Sequence, residues 1–382
     1  MRLNPSVLGS CLLLTLSCGM RTESGARLKE HWNAANDPIQ LLAGNYVVTL
    51  SSLPTEGELT WKPWADSYWP SKQGGLAYRW REAEEGHSYQ PIKPLEAESI
   101  GVSQLARLSP AEKFDIFVGD SSMPLHTNEA ERTSPNDGAW FGICHGWAPA
   151  SLAWMEPKAI VVKSEAGVDV PFAASDIKAL LSLHAADYSH AEERILASRC
   201  NINLATHPEA ADRSECRDTN AGAFHIVLAN KVGIQKQGFV SDVTRDFEVW
   251  NQPVSGYKTR VINEIAGHSA GAAPGTTKEV TVETEMFYGA ELSPMWAAAG
   301  PNMKSKVYSY RLELNQRGQI IGGTWLTEDR PDFLWDMAKP ELVDSAASYS
   351  KRVIKWSYLK KIYEASLASP EEAAEPSNEP SN

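Results

Sequence analysis

Three side chains in this sequence stand in an order that nucleophilic acyl-transfer chemistry can use: Cys144, then His225, then Asp242. In such an arrangement a thiolate attacks a carbonyl carbon, an imidazole takes and returns the proton, and a carboxylate orients the imidazole. Cys144 lies in DGAWFGICHGWAPASLAW, a glycine-rich entry to a helical pattern carried by Trp147, Ser151 and Trp154, and Pro149 suits a first helical turn. A thiol at a helix N-terminus feels the positive end of the dipole, which favours the thiolate, and the first-turn amides can donate to an oxyanion. Taken alone, a buried structural thiol is the commoner fate of a cysteine. The histidine and the acid downstream tip the reading toward catalysis.

Elements must exist to bring these groups together. Phe224, Ile226 and Leu228 alternate with His225, Val227 and Ala229, which predicts a strand with His225 on the face opposite the apolar residues. GFVSDVT predicts the next strand, with Asp242 at its end and Asp246 as the alternative acid. Ser109 and Glu112 read as a capping box that opens a short helix through Phe117, and Ser175-Asp176 caps an amphipathic helix over Ile177, Leu180, Leu181 and His184. Beyond Gly267 a loop leads to alternating runs at Val280–Met286 and Tyr308–Leu314, and NQRG turns the second run into QIIGGTWL. The class is α+β: a helix carrying the thiol followed by a sheet.

At 382 residues the chain can hold one large or two modest domains. Its apolar fraction of 42% is that of a folded protein, and 48 acidic against 36 basic residues exclude an electrostatic footprint for nucleic acid. Residues 1–18 read as a bacterial-type signal peptide: Arg2 precedes an apolar stretch, Val7 to Leu16, too short for a membrane span. Cleavage before Cys18 with a lipid anchor to a bacterial membrane, and plain secretion, stand as equal readings. No Asn-x-Ser/Thr acceptor is present, so nothing argues for a glycosylated eukaryotic surface protein. Removing the leader leaves Cys144, Cys200 and Cys216. A disulfide between Cys200 and Cys216 would close a polar loop and stabilise by ~3 kcal/mol, leaving Cys144 free. A zinc site using His190 or His207 is the rival, and it lacks a paired C-x2-C element.

Two motifs carry a resemblance to a known family. VWNQPVSGYK, Val249 to Lys258, is similar to the surface elicitor peptide V-W-N-Q-P-V-x-G-F-K of the transglutaminase elicitor family of oomycetes and marine bacteria, departing at Tyr257. FGICHGWAPASL resembles that family's nucleophile segment and keeps the Gly-x-Cys of transglutaminases as Gly142-x-Cys144, with His145 where the animal enzymes have Trp. Asp242-Val243-Thr244 resembles the Asp-x-Thr that carries the acid in many transglutaminase-like proteins. The resemblance runs from about Leu59 to Met337. It implies a papain-like cysteine core, a thioester on Cys144 formed from a glutamine side chain, and transfer of that acyl group to a lysine amine, so the partners are proteins bearing Gln and Lys. It also points to calcium as cofactor, although no D-x-[DN]-x-[DN]-G loop occurs and no residue is assigned to the ion. VWNQPVSGYK is expected either as a partly exposed edge shaping the donor groove through Trp250 and Pro253, or as a structural strand and turn.

The expected organisation is a leader at 1–18, a Trp-rich irregular wrap or prosegment at 26–134, a catalytic core at 135–266, a β-rich region at 267–362 and a disordered acidic tail at 363–382. Two other functions fit the same residues. A cysteine peptidase or amidase uses the same triad and differs only in whether water or an amine resolves the thioester, which a tunnel walled by Trp140 or Trp147 would decide. A surface binding module with a decayed triad is the non-enzymatic alternative.

Overall fold

The computed structural model describes residues 32–192, 194–198, 202, 206–213, 218–244, 248–339, 341–344 and 354–376. Cys18, Cys200, Cys216 and Asp246 lie outside them, so the leader, the expected disulfide and the alternative acid do too.

Helices come first along the chain. Two short ones, α1 (Pro94–Ala97) and α2 (Val102–Leu105), precede α3 (Pro110–Val118), whose start has the expected capping box between Ser109 and Glu112. A helix not foreseen, α4 (Pro124–Arg132), follows. Then come α5 (Cys144–Ala153) and α6 (Ala174–Glu192), which holds Ile177, Leu180, Leu181 and His184 as expected. The region expected to be irregular is thus partly helical. It is also built into the core, where Trp64, Trp69 and Leu76 cluster with Ile143, Trp147 and Ile177.

Ten strands form two sheets among the described residues, β1 (Glu56–Glu58), β2 (Ile160–Lys163), β3 (Asp169–Phe172), β4 (Arg194–Leu196), β5 (Phe239–Asp242), β6 (Asn251–Ala266), β7 (Lys278–Gly289), β8 (Met303–Leu314), β9 (Ile320–Trp325) and β10 (Leu334–Asp336). β2 and β3 make a separate hairpin; the others form one antiparallel sheet in the order β4-β10-β5-β6-β7-β8-β9, with β1 also on β6. The loop after Gly267, the alternating runs and the β8–β9 turn fall where the sequence puts them, and Gly318 in that turn has φ +71°, a conformation that favours glycine. The α+β class holds.

Residues 221–228 are a correction: they form a helix, α7 (Ala221–Leu228), continued by a π-helical turn over Ala229–Gln235, and not a strand. All eight residues of α7 are buried, so apolar side chains occupy every position and the period of two seen in Phe224, Ile226 and Leu228 carries no information. The Asn220 side chain caps it, accepting from the amides of Gly222 and Ala223.

The sheet separates two apolar cores. On one face α5 packs against β5, β6 and α6, and Val240 joins Trp147 and Ile177. On the other, α7 packs against β8 and β9, and Phe239 joins Phe224, Tyr308 and Tyr310. Successive residues of a strand face opposite sides, so Asp242 shares the α5 face with Val240.

The acidic tail is a second correction. Helix α8 (Trp356–Ala368) buries Trp356, Leu359 and Ile362, and beyond it Glu372 accepts from the amides of Ala159 and Ala298 while Glu375 pairs with Arg81. Its carboxylates find fixed donors, which composition alone does not show. Among the described residues no helix is long and apolar enough to cross a membrane.

Candidate functional site

Cys144 is the first residue of α5, as its glycine-rich entry suggested. Two packing demands fix that entry. A Cβ on Gly142 would overlap the Tyr68 carbonyl oxygen, and one on Gly146 would overlap the Ser182 carbonyl of α6. Both positions therefore need glycine for close approach. The Tyr68 to Ser71 segment then grips the loop at two points, Ile143 donating its amide to the Tyr68 carbonyl (2.7 Å) and Ser71 donating its own to that of Phe141 (2.8 Å). Since the helix opens at Cys144, Pro149 lies at its sixth residue and not in the first turn, where it removes one i→i−4 bond.

The thiol is buried, 4% exposed, and is a free cysteine. It donates to the Val249 carbonyl (3.7 Å), and Asn251 donates its Nδ2–H to Sγ (3.4 Å). Asn251 is itself held, since its Oδ1 accepts from the Trp335 indole (2.8 Å). Burial pushes the Cys144 thiol up from its ordinary range, hydrogen bonds from the side chain and backbone of Asn251 pull it back, and the charges of Glu291 and Asp242 raise it again. VWNQPVSGYK thus opens the strand that touches the thiol. It is no sheet edge, because β6 is paired on both sides and Asn251–Tyr257 are all buried; Trp250 alone is half-buried, meeting Tyr68 edge-on at 5.0 Å between centroids.

Asp242 stands directly opposite Asn251 across the β5–β6 ladder, and its Oδ1 accepts from the Thr244 amide (3.3 Å). Directly opposite residues share a face, so the carboxylate lies beside the residue that holds Sγ. On the other side of Asn251, the β6–β7 register has Val254 opposite Tyr288, and continuing it carries Glu291 to the level of Asn251. Gln252 donates to Glu291 (3.0 Å). Cys144 therefore sits over a row in which a carboxylate flanks Asn251 on each side.

His225 is not part of this row. It lies on α7, on the opposite face of the sheet, where Nδ1 shares a hydrogen bond with the Tyr310 hydroxyl (2.8 Å) and burial lowers its pKa to about 4. An imidazole so placed is a satisfied core histidine. Trp147, expected as a tunnel wall, is fully buried in the core, while Trp140 stacks on Phe141 at 4.2 Å. Asn251 was within reach of sequence reasoning because it lies in the resembling motif; Glu291 and Tyr68 carry no signal, since they belong to no pattern and approach only through the register and the loop. For calcium the donors do not fit: among the described residues no three His, Cys, Asp or Glu side chains are grouped to hold a metal ion.

The family model for the transglutaminase elicitor matches residues 126–366. A solved structure, that of the GP42 transglutaminase from Phytophthora sojae, is similar with a TM-score of 0.64 and 24% identity, over 88% of this chain and 99% of that one. No curated protein sequence matches. The fold is transglutaminase-like, and with the family model spanning well over half of its length the chain belongs to the transglutaminase elicitor family.

Proposed function

We propose that the chain is a protein-glutamine γ-glutamyltransferase in which Cys144 is the nucleophile and Asp242 carries the proton that the sequence had assigned to His225. The observation that carries this reading is the thiol at the head of α5 held by Asn251, the residue paired with Asp242. Sγ attacks the side-chain carbonyl carbon of a substrate glutamine while its proton passes to the Asp242 carboxylate. Because burial disfavours the free thiolate, that transfer accompanies the attack. The oxyanion meets the first-turn amides of α5, which have no partner within the helix. On collapse the C–N bond breaks, ammonia leaves with the proton from Asp242, and a thioester remains. A lysine amine then attacks, the C–S bond breaks, and the amide is formed.

A site this dry favours an amine over water, which is the distinction between a transferase and an amidase. The substrates are proteins bearing Gln and Lys, reached after export through the leader. Incubating the protein with a glutamine peptide and no amine tests the first half. The expected product is the peptide, less ammonia, attached to Cys144 by mass spectrometry; an adduct elsewhere, or none, counts against the reading.

A further inference from the structure

The second half-reaction needs something the first does not: a lysine side chain arrives as an ammonium and must be both held and deprotonated within reach of the thioester. Glu291 stands on the side of Asn251 away from Asp242 and its charge is felt at both Cys144 and Tyr68. Its backbone is fixed, Asn302 donating to its carbonyl (2.9 Å) and the neighbouring Leu292 amide donating to the Asp66 carbonyl (3.0 Å). Gln252 gives one amide hydrogen to the Glu291 carboxylate, so its own oxygen, Oε1, belongs to a side chain only 5% exposed yet has no hydrogen-bond partner. A buried acceptor without a donor calls for explanation, and an incoming N–H supplies one. Tyr68 and Trp250 add aromatic surface beside it, which suits the methylenes and charge of an alkylammonium.

From this geometry we infer that Glu291 and the Oε1 atom of Gln252 form the acceptor-amine site, so that the two carboxylates flanking Asn251 divide the reaction between them. This rests on the transferase reading above. Glu291 takes one proton from the ammonium, the amine nitrogen bonds to the thioester carbon, the C–S bond breaks, and the second N–H proton passes to the Cys144 sulfur as it leaves. The site selects cationic primary amines.

The test is transfer from one glutamine peptide to two acceptors: a primary alkylamine, cationic at neutral pH, and hydroxylamine, uncharged there. Replacing Glu291→Gln is expected to raise the ratio of hydroxylamine to alkylamine kcat/KM by about 10-fold to 100-fold, the scale of losing one partner of a buried charge contact. Glu291→Asp, which keeps the charge one methylene back, is expected to restore part of the preference and stands in should Glu291→Gln not fold. An unchanged ratio in a variant that still transfers overturns the acceptor assignment alone. Wild type that transfers to neither acceptor overturns the transferase reading, and this inference with it.

Discussion

Asn251 donates to the sulfur of Cys144 across 3.4 Å, so the polar grip on the nucleophile comes from the first residue of a central strand and not from an imidazole. A hydrogen bond to a charged partner contributes on the order of 1.5–3 kcal/mol. Asn251→Ala should therefore move the thiol further above the ~8.5 of a free cysteine and slow its alkylation by iodoacetamide at neutral pH about tenfold or more. The full rate–pH profile checks this: its midpoint is expected to rise in the variant, and a midpoint that stays put would show that the contact does not stabilise the thiolate.

Exchanging the roles of His225 and Asp242 gives a direct comparison. Asp242→Asn is expected to lower amine transfer by about 10²- to 10⁴-fold, the range of a lost general acid–base group. His225→Gln, on the far face of the sheet, is expected to leave transfer within about threefold. Parallel kcat/KM measurements decide it, and the opposite ranking would return the proton to His225.

The same histidine makes an acid-stability prediction. Its folded pKa of about 4 lies below the ordinary 6.5, so the unfolded chain binds the proton first. Its share of stability is complete above pH 6.5 and is lost as pH falls toward 4, on the order of 3 kcal/mol in all. Asp66 and Asp115, both raised by burial to about 7, titrate in the same window with the opposite sign, so wild type alone cannot show it. The stability difference between wild type and His225→Gln, from denaturant melts, is expected to shrink between pH 6.5 and 4; a difference independent of pH would refute the burial of a neutral imidazole.

Lys113 and Asp176 join α3 to α6 by a 2.7 Å ion pair in which both side chains are fully buried. Asp176 also accepts from the Trp80 indole and the Ala173 amide. Asp176→Ala leaves a buried ammonium without its counter-charge and is expected to destabilise by about 3–5 kcal/mol. Thermal melting measures it, and a loss under about 1 kcal/mol would mean that water reaches Lys113.

What the sequence made legible follows from which signals are local. The capping box at Ser109, the helix entry at Cys144 and the alternating strands β7 and β8 rest on neighbours within a few residues, and all three stand in the structure. Residues 221–228 failed because complete burial erases the periodicity that separates helix from strand, and that error carried His225 into the site. The tail failed because Glu372 and Glu375 are ordered by donors from distant segments, Ala159, Ala298 and Arg81. Glu291 was invisible for the same reason: only the register of β6 on β7 brings it to Asn251.

The most direct test is incorporation of a labelled primary amine into a glutamine-bearing protein such as casein, by wild type and by Cys144→Ala, with and without calcium. Incorporation by wild type that vanishes in Cys144→Ala is the expected result. Incorporation that survives in the variant would contradict Cys144 as nucleophile, and ammonia release without incorporation would make the chain an amidase.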